Sequence, residues 1–376
     1  MTTVQENAAQ AAAPGRARRQ QLSFHPLRVS DVERLTDEAV AISFEVPEDL
    51  RALYEFTPGQ HLTLRRTIDG EETRRSYSIC APAGTGRLRV AVKRIDGGVF
   101  SEWATSELRA GDEIDVMTPA GRFGISFEPG RARHYTAIAA GSGITPVISL
   151  VETALAVEGG SRFTLVYGNR TSASVMFLEE LADLKNRYPE RLQVVHVLSR
   201  EAQDAPLLSG RIDAEKLALL LTSVLEPDDV EEWFLCGPAE MVQECRRALL
   251  ESGVDTSDVH HELFHVAGAG PAPRRRSSSG DSGPRSSVTV LLDGRSTAIE
   301  LGAEDEPVLD AVLRVRADAP FACKGGVCGT CRAKVVEGSV RMDHDYALEE
   351  AEKAAGYVLT CQAHPTSERV LVDFDA

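Results

Sequence analysis

Four cysteines constrain the C-terminal part of this chain more than any other feature. Cys323, Cys328 and Cys331 are spaced C-x4-C-x2-C, and Cys361 follows thirty positions later. Two irons need four thiolates, and one tight loop can supply three of them. Lys324, Gly325, Gly326, Val327 and Gly329 fill that loop. Its glycines let backbone N–H groups turn toward the sulfurs. This is the plant-type spacing of a [2Fe–2S] site. The competing uses are zinc and free thiols, but zinc sites usually pair two C-x2-C knuckles and only one is present here. The pattern predicts Cys323, Cys328, Cys331 and Cys361 as cluster ligands.

The rest of the chain must frame that site. At 376 residues it has room for two to three domains. Residues 267–287, AGAGPAPRRRSSSGDSGPRSS, hold no large apolar side chain and read as a flexible linker. Residues 1–22, rich in Ala, Gln and Arg, read as a disordered tail. Between 23 and 130, short alternating runs (Ala41–Val46, Gln60–Arg65, Ser76–Cys80, Arg87–Val92, Asp112–Met117) are punctuated by Gly and Pro turns. They predict an antiparallel β-barrel. Between 131 and 266 the rhythm changes to strands alternating with helices, including Pro146–Val157, Ser174–Arg187 and Pro238–Glu251. That alternation predicts a doubly wound α/β domain on a parallel sheet. Residues 288–376 read as a small α+β, β-grasp-like unit.

Two further motifs carry chemistry. Arg75-Ser76-Tyr77-Ser78 lies on a predicted strand, with Arg75 and Tyr77 on one face. An arginine can hold a pyrophosphate and a tyrosine can cover a flavin ring. Val92-Lys93 then leads into Gly97-Gly98-Val99-Phe100-Ser101, a glycine turn opening a short helix, which makes a phosphate cradle. Gly141-Ser142-Gly143-Ile144-Thr145-Pro146 follows a strand and opens a helix, with Pro146 expected at the first helical position. Glycines there allow close approach of a pyrophosphate to the helix N-terminus. Each motif alone is a weak signal.

Together, and in this order, they resemble the ferredoxin–NADP reductase family over residues 23–266. The resemblance implies FAD held by Arg75, Tyr77, Ser78, Val92, Lys93, Gly98 and Ser101. It implies nucleotide held at Gly141, Gly143, Thr145 and Pro146, with Cys236-Gly237-Pro238 near the nicotinamide. His260-x-Glu262-x-Phe264 is similar to the end of that family's domain, which puts Glu262 and Phe264 near the flavin. Ser78, Cys236 and Glu262 are the expected groups at the flavin–nicotinamide contact, where they orient and hydrogen-bond. The overlapping string His261-Glu262-Leu263-Phe264-His265 also fits the zinc-protease pattern, but that chemistry needs a helix and this stretch reads as a strand. Residues 288–376 resemble plant-type ferredoxin domains.

A 2′-OH reader would be an acidic residue after the second strand. Asn169 and Arg170 stand there instead, with Ser199 and Arg200 after the third, a set that favours NADPH over NADH. Glu201 next to them works against this choice.

A formal charge of −16 disfavours nucleic-acid and anionic-membrane partners. No apolar run approaches a membrane span, and no signal-peptide core opens the chain, so a cytoplasmic location is expected. No Glu-x-x-His pair falls on a predicted helix, so oxygen chemistry is assigned to another protein. The expected path runs from NADPH to FAD, then singly to the [2Fe–2S] cluster and an external acceptor. Met342–Leu348, Gly356–Pro365 and Tyr167–Thr171 resemble the reductase subunits of phenylacetyl-CoA epoxidases, which implies a di-iron oxygenase partner. The Arg-rich linker departs from that pattern. Alternatives are the reductase of a 3-ketosteroid 9α-hydroxylase, serving a Rieske oxygenase, and a non-catalytic redox sensor or electron-transfer adaptor.

Overall fold

The computed structural model describes residues 22–225, 227–265, 285–302 and 305–376. The expected tail, Leu22 apart, and the expected linker up to residue 284 lie outside the described residues.

The first sheet contains β1 (Phe24–Thr36), β2 (Ala39–Glu45), β3 (His61–Ile68), β4 (Glu71–Ser78), β5 (Leu88–Lys93) and β6 (Glu113–Met117), with helix α1 (Val99–Ser106) between the last two. Their order is β4-β3-β6-β1-β2-β5, and a bridge between Ile79 and Val90 joins the two ends into a closed antiparallel barrel. Closure removes the unpaired edges that an open sheet would expose. Leu27, Ile42, Leu62, Leu64, Val90 and Val116 fill the interior, and Phe100 and Trp103 of α1 pack against them. Each such side chain contributes about 1.5–3 kcal/mol by leaving water. Sequence reading does not anticipate β1. Irregularities between Val29 and Asp31 and between Arg34 and Thr36 break its alternation.

The second sheet is wholly parallel. It is built from β7 (His134–Ala140), β8 (Arg162–Asn169), β9 (Leu192–Leu198), β10 (Glu232–Pro238) and β11 (Val259–His265) in the order β11-β10-β7-β8-β9. Helices α2 (Ile144–Val157), α3 (Leu178–Arg187), α4 (Ala214–Ser223) and α5 (Ala239–Glu251) connect the strands. Helix α2 is apolar nearly all round because it is buried on two sides. Ser149 of α2 donates to Ala81 O at 2.6 Å and Thr153 accepts from Ala83 N–H at 3.0 Å, fastening barrel to sheet. Helix α3 starts four residues later than expected, because Phe177 takes a left-handed conformation (φ 59°) just before it.

The third unit contains β12 (Arg285–Leu292), β13 (Arg295–Gly302), α6 (Val308–Leu313), β14 (Arg332–Glu337), β15 (Val340–Met342), α7 (Glu350–Ala354), β16 (Tyr357–Leu359), β17 (Ala363–Pro365) and β18 (Arg369–Asp373). Its main sheet runs β13-β12-β18-β14-β16, and β15 pairs with β17. Strand β12 begins at Arg285, inside the expected linker, because Arg285, Ser286 and Ser287 pair with Gly302, Leu301 and Glu300. Among the described residues no helix is long and apolar enough to cross a membrane.

Candidate redox site

The order of the parallel sheet reverses between β7 and β10, and ligands of such sheets bind in the crevice at that reversal. Gly141 follows β7 with φ 54°, and Tyr167 donates to its carbonyl at 3.0 Å. Gly143 packs against the end of β10 so closely that a Cβ would stand 2.2 Å from Cys236 O. The glycine turn therefore lies directly against Cys236 and Gly237 at the end of β10. Thr145 donates to Ser142 O at 3.0 Å. Pro146 is the third residue of α2, not the first, because Ile144 and Thr145 are already helical. Its missing N–H still falls among the donors without an intrahelical partner.

At the ends of β8 and β9, Ser199 N–H donates to Asn169 O at 2.9 Å and Arg200 N–H to Arg170 O at 2.8 Å. Both arginine side chains are exposed. The buried Asn169 amide lies beside the Tyr167 hydroxyl, yet neither amide atom completes a hydrogen bond. Glu201 accepts from Ser172 N–H at 2.8 Å and from its hydroxyl at 3.0 Å, so this acid is engaged. The arrangement fits an anionic nucleotide: an open glycine turn, an orphaned buried amide and two solvent-facing cations.

The barrel side meets the crevice at β4 and β11. Ser78 donates to the Glu262 carboxylate at 3.1 Å, across 184 positions of sequence. Glu262 is paired in register with Cys236. Burial raises the Glu262 carboxyl to about 7, with the Ser78 bond opposing and the Cys328 sulfur adding to it. Burial, with the Glu262 charge, pushes the Cys236 thiol up. Tyr77 is half-buried with its ring 5.7 Å from Phe100, and exposed Arg75 donates to Arg74 O at 2.7 Å. A Cβ at Gly98 would meet Ser101 Oγ at 2.6 Å, and the Ser101 hydroxyl itself closes that turn, accepting from Ile95 N–H at 3.1 Å. Val92 is wholly buried in the barrel core, so only its backbone is left to face a ligand. Lys93 Nζ stands 3.9 Å from Glu38. Phe264 packs against the core of the parallel-sheet unit. The chain thus offers a flavin an exposed cation, an aromatic face and a part-buried hydroxyl–carboxyl pair. The H-E-x-x-H string lies on β11, where positions four apart stand roughly 13 Å apart, so it makes no helical zinc face.

The four cysteines lie near one another, Cys323 beside Cys328 and Cys331 beside Cys361. Lys324, Gly326 and Gly329 take positive φ (53°, 77° and 66°), and Gly325 N–H donates to Cys323 Sγ at 3.3 Å. The Cys328 thiol holds Cys323 down to about 6, against the effect of burial. Among the described residues no three His, Cys, Asp or Glu converge on a single-ion site. Four cysteines gathered in this way are the donor set that a two-iron cluster takes.

The cysteine loop lies against the barrel. Thr330 Oγ1 is 3.4 Å from His61 Nε2, and Glu262, Cys328, Gly329 and Thr330 line one cleft of about 580 Å³. Burial lowers the His61 imidazole to about 4. Sequence reading does not find His61, Arg74 or Arg122 at this junction, because their partners lie more than two hundred positions away.

Comparison with known proteins agrees with this geometry. Residues 26–125 match the oxidoreductase FAD-binding domain, 137–247 the oxidoreductase NAD-binding domain, and 290–366 the 2Fe-2S iron-sulfur cluster binding domain. The chain is 49% identical to a subunit of 1,2-phenylacetyl-CoA epoxidase of Escherichia coli (strain K12), over 94% of this chain and 98% of that one. It is 35% identical to the ferredoxin reductase component of 3-ketosteroid-9-alpha-monooxygenase of Rhodococcus rhodochrous, over 93% and 96%. The solved structure of phthalate dioxygenase reductase shares its fold, with a TM-score of 0.54 and 20% identity over 93% of this chain and 98% of that one.

Proposed function

Because the chain belongs to the family of flavin and [2Fe–2S] reductase components of multicomponent monooxygenases, with a phenylacetyl-CoA epoxidase component among its relatives, we propose that it draws electrons from NADPH. It delivers them singly to the oxygenase component that epoxidises the ring of phenylacetyl-CoA, a di-iron protein. The observation that carries this reading is that Glu262 and the Cys328–Thr330 segment line one cleft. A bound flavin accepts two electrons as hydride and releases them one at a time, which a [2Fe–2S] cluster requires.

The chain's own residues then divide the work. Arg75, Lys93, Gly98 and the turn closed by Ser101 hold the flavin phosphates, with Val92 contributing backbone, while Tyr77 and Phe264 bound the ring. Ser78 and Glu262 hydrogen-bond at its reactive edge. Gly141, Gly143, Thr145 and Pro146 admit the nucleotide pyrophosphate to the N-terminus of α2. Cys236, Gly237 and Pro238 orient the nicotinamide. Asn169, Arg170, Ser199 and Arg200 face the 2′-phosphate, and engagement of Glu201 by Ser172 supports NADPH over NADH. Cys323, Cys328, Cys331 and Cys361 ligate the irons. The division into a flavin domain (23–130), a nucleotide domain (131–266) and a ferredoxin domain after the linker serves this path, and the protein works in the cytoplasm.

Greater identity to the epoxidase component than to the ketosteroid reductase supports the epoxidase partner. Reconstitution tests it. NADPH consumption is measured with purified phenylacetyl-CoA epoxidase oxygenase and, separately, with a Rieske oxygenase. Coupled turnover with the former, and NADPH preferred to NADH, is the expected result. Coupling only to the Rieske enzyme contradicts the partner, and a strong NADH preference contradicts the nucleotide assignment.

A further inference from the structure

The contacts that press the cysteine loop onto the barrel form a small, charged set. Arg122 Nη1 donates to Glu352 Oε1 at 2.5 Å. The same oxygen accepts from Arg332 Nη1 at 3.0 Å, and Arg332 directly follows Cys331. The Arg122 side chain is 65% exposed, whereas that of Glu352 is 16% exposed. The Arg122 loop is itself tied down. Ala120 and His61 exchange backbone hydrogen bonds at 2.7 and 3.0 Å, and a Cβ at Gly121 would meet His61 Nδ1 at 2.8 Å. His61 in turn touches Thr330, and the Arg74 guanidinium lies 4.0 Å over the Phe321 ring. The contacts of Arg122, His61 and Arg74 all join the barrel to the unit that carries the cysteines.

We propose that Arg122 and Glu352 form an intramolecular clasp that positions the cysteine loop on the flavin barrel and thereby sets the rate of internal electron transfer. The inference rests on the functional reading above. Arg122 is a positioning residue, acting through Glu352 and Arg332 on the loop that ends at Cys331. In each transfer one electron leaves the reduced flavin and one enters the oxidised cluster, with NADPH as the reductant. The Arg122 end of this ion pair is exposed and salt weakens it, so the clasp makes internal electron transfer sensitive to ionic strength.

The test uses the full-length protein carrying both groups, as wild type, Arg122→Ala, Glu352→Gln and the double variant. Anaerobic stopped-flow with NADPH reads flavin and cluster bleaching separately. Hydrogen exchange of the same samples without NADPH reads protection at residues 119–123 and 326–332. Flavin bleaching and the cluster's electron paramagnetic resonance spectrum are expected to stay unchanged. Cluster bleaching slows roughly two- to fivefold in each single variant. The double variant is no slower than the slower single one, since the two residues share one contact. Protection at both segments falls, and added salt slows wild type but not the double variant. Unchanged cluster bleaching with unchanged protection overturns the clasp, as does an additive double variant. Failure of wild-type flavin to bleach contradicts the functional reading instead, and hydrogen exchange still judges the clasp.

Discussion

A single methyl group at Gly143 probes how the nucleotide crevice works. In Gly143→Ala the new Cβ would stand 2.2 Å from Cys236 O, 2.5 Å from its carbonyl carbon and 2.8 Å from Gly237 N. Ordinary contact between carbon atoms is roughly 3.5 Å, so the turn must withdraw by about 1 Å. Backbone atoms cannot rotate aside as a flexible side chain can, and overpacking of this kind costs about 1–3 kcal/mol. A misplacement of about 1 Å at a reacting pair lowers rate about a hundredfold, or roughly 2.7 kcal/mol of barrier. Gly141→Ala is the natural control. It meets no atom within 4 Å, but its φ of 54° disfavours a side chain. It should cost only about 1 kcal/mol, roughly fivefold. The assay is anaerobic single-turnover bleaching of the flavin over a range of NADPH concentrations, which gives affinity and limiting rate together. Both variants should keep wild-type flavin content, and Gly143→Ala should be slower by about two orders of magnitude. A Gly143→Ala protein with wild-type affinity and limiting rate refutes the reasoning, because the turn would then not set the approach of nucleotide to the end of β10.

Other perturbations separate the parts of the molecule. Cys361→Ser should abolish the cluster's visible and paramagnetic signals while leaving NADPH-driven ferricyanide reduction, a flavin-level assay, within about twofold of wild type. Glu158 is fully buried and accepts from Tyr135 at 2.8 Å, Ser161 at 2.6 Å and Glu128 N–H at 2.9 Å. Glu158→Leu removes the acceptor that these three donors share, and the unfolding midpoint should drop by roughly 5–10 °C in calorimetry. His61 titrates near 4 when folded because burial disfavours its cation, against 6.5 for an ordinary imidazole. The unfolded chain therefore binds the extra proton first, and stability is lost as pH falls from about 6.5 to 4, by about 3 kcal/mol. Unfolding midpoints of wild type and His61→Gln should accordingly converge or cross between pH 7.5 and 4.5, and parallel curves would contradict this.

What can be read from the sequence is local. The cysteine loop, the Arg75–Ser78 strand and the Gly141–Pro146 turn each carry their chemistry within a few residues. Spacing alone predicts the ligand set, and the alternation of strands and helices predicts the parallel sheet. Structure departs from sequence where geometry overrides pattern. Irregularities hide β1, a left-handed Phe177 delays α3, and two helical residues move Pro146 inward. Helix α4 is not anticipated either, although Asp213 caps it by accepting from Lys216 N–H at 2.8 Å. The junction is illegible for a different reason. His61 and Thr330 are 269 positions apart, and Arg122 and Glu352 are 230 apart. No periodicity or motif links such residues before the chain is folded.

The central claim is that one polypeptide carries electrons from a nicotinamide nucleotide through flavin to its own cluster. Mixing the intact protein with NADPH in an anaerobic stopped-flow instrument tests it directly, with flavin and cluster followed at separate wavelengths. The account predicts that flavin absorbance falls first and that cluster absorbance then falls without any added mediator, at a rate independent of protein concentration. A cluster that stays oxidised beside a fully reduced flavin, or that is reduced only at a rate proportional to protein concentration, would contradict it.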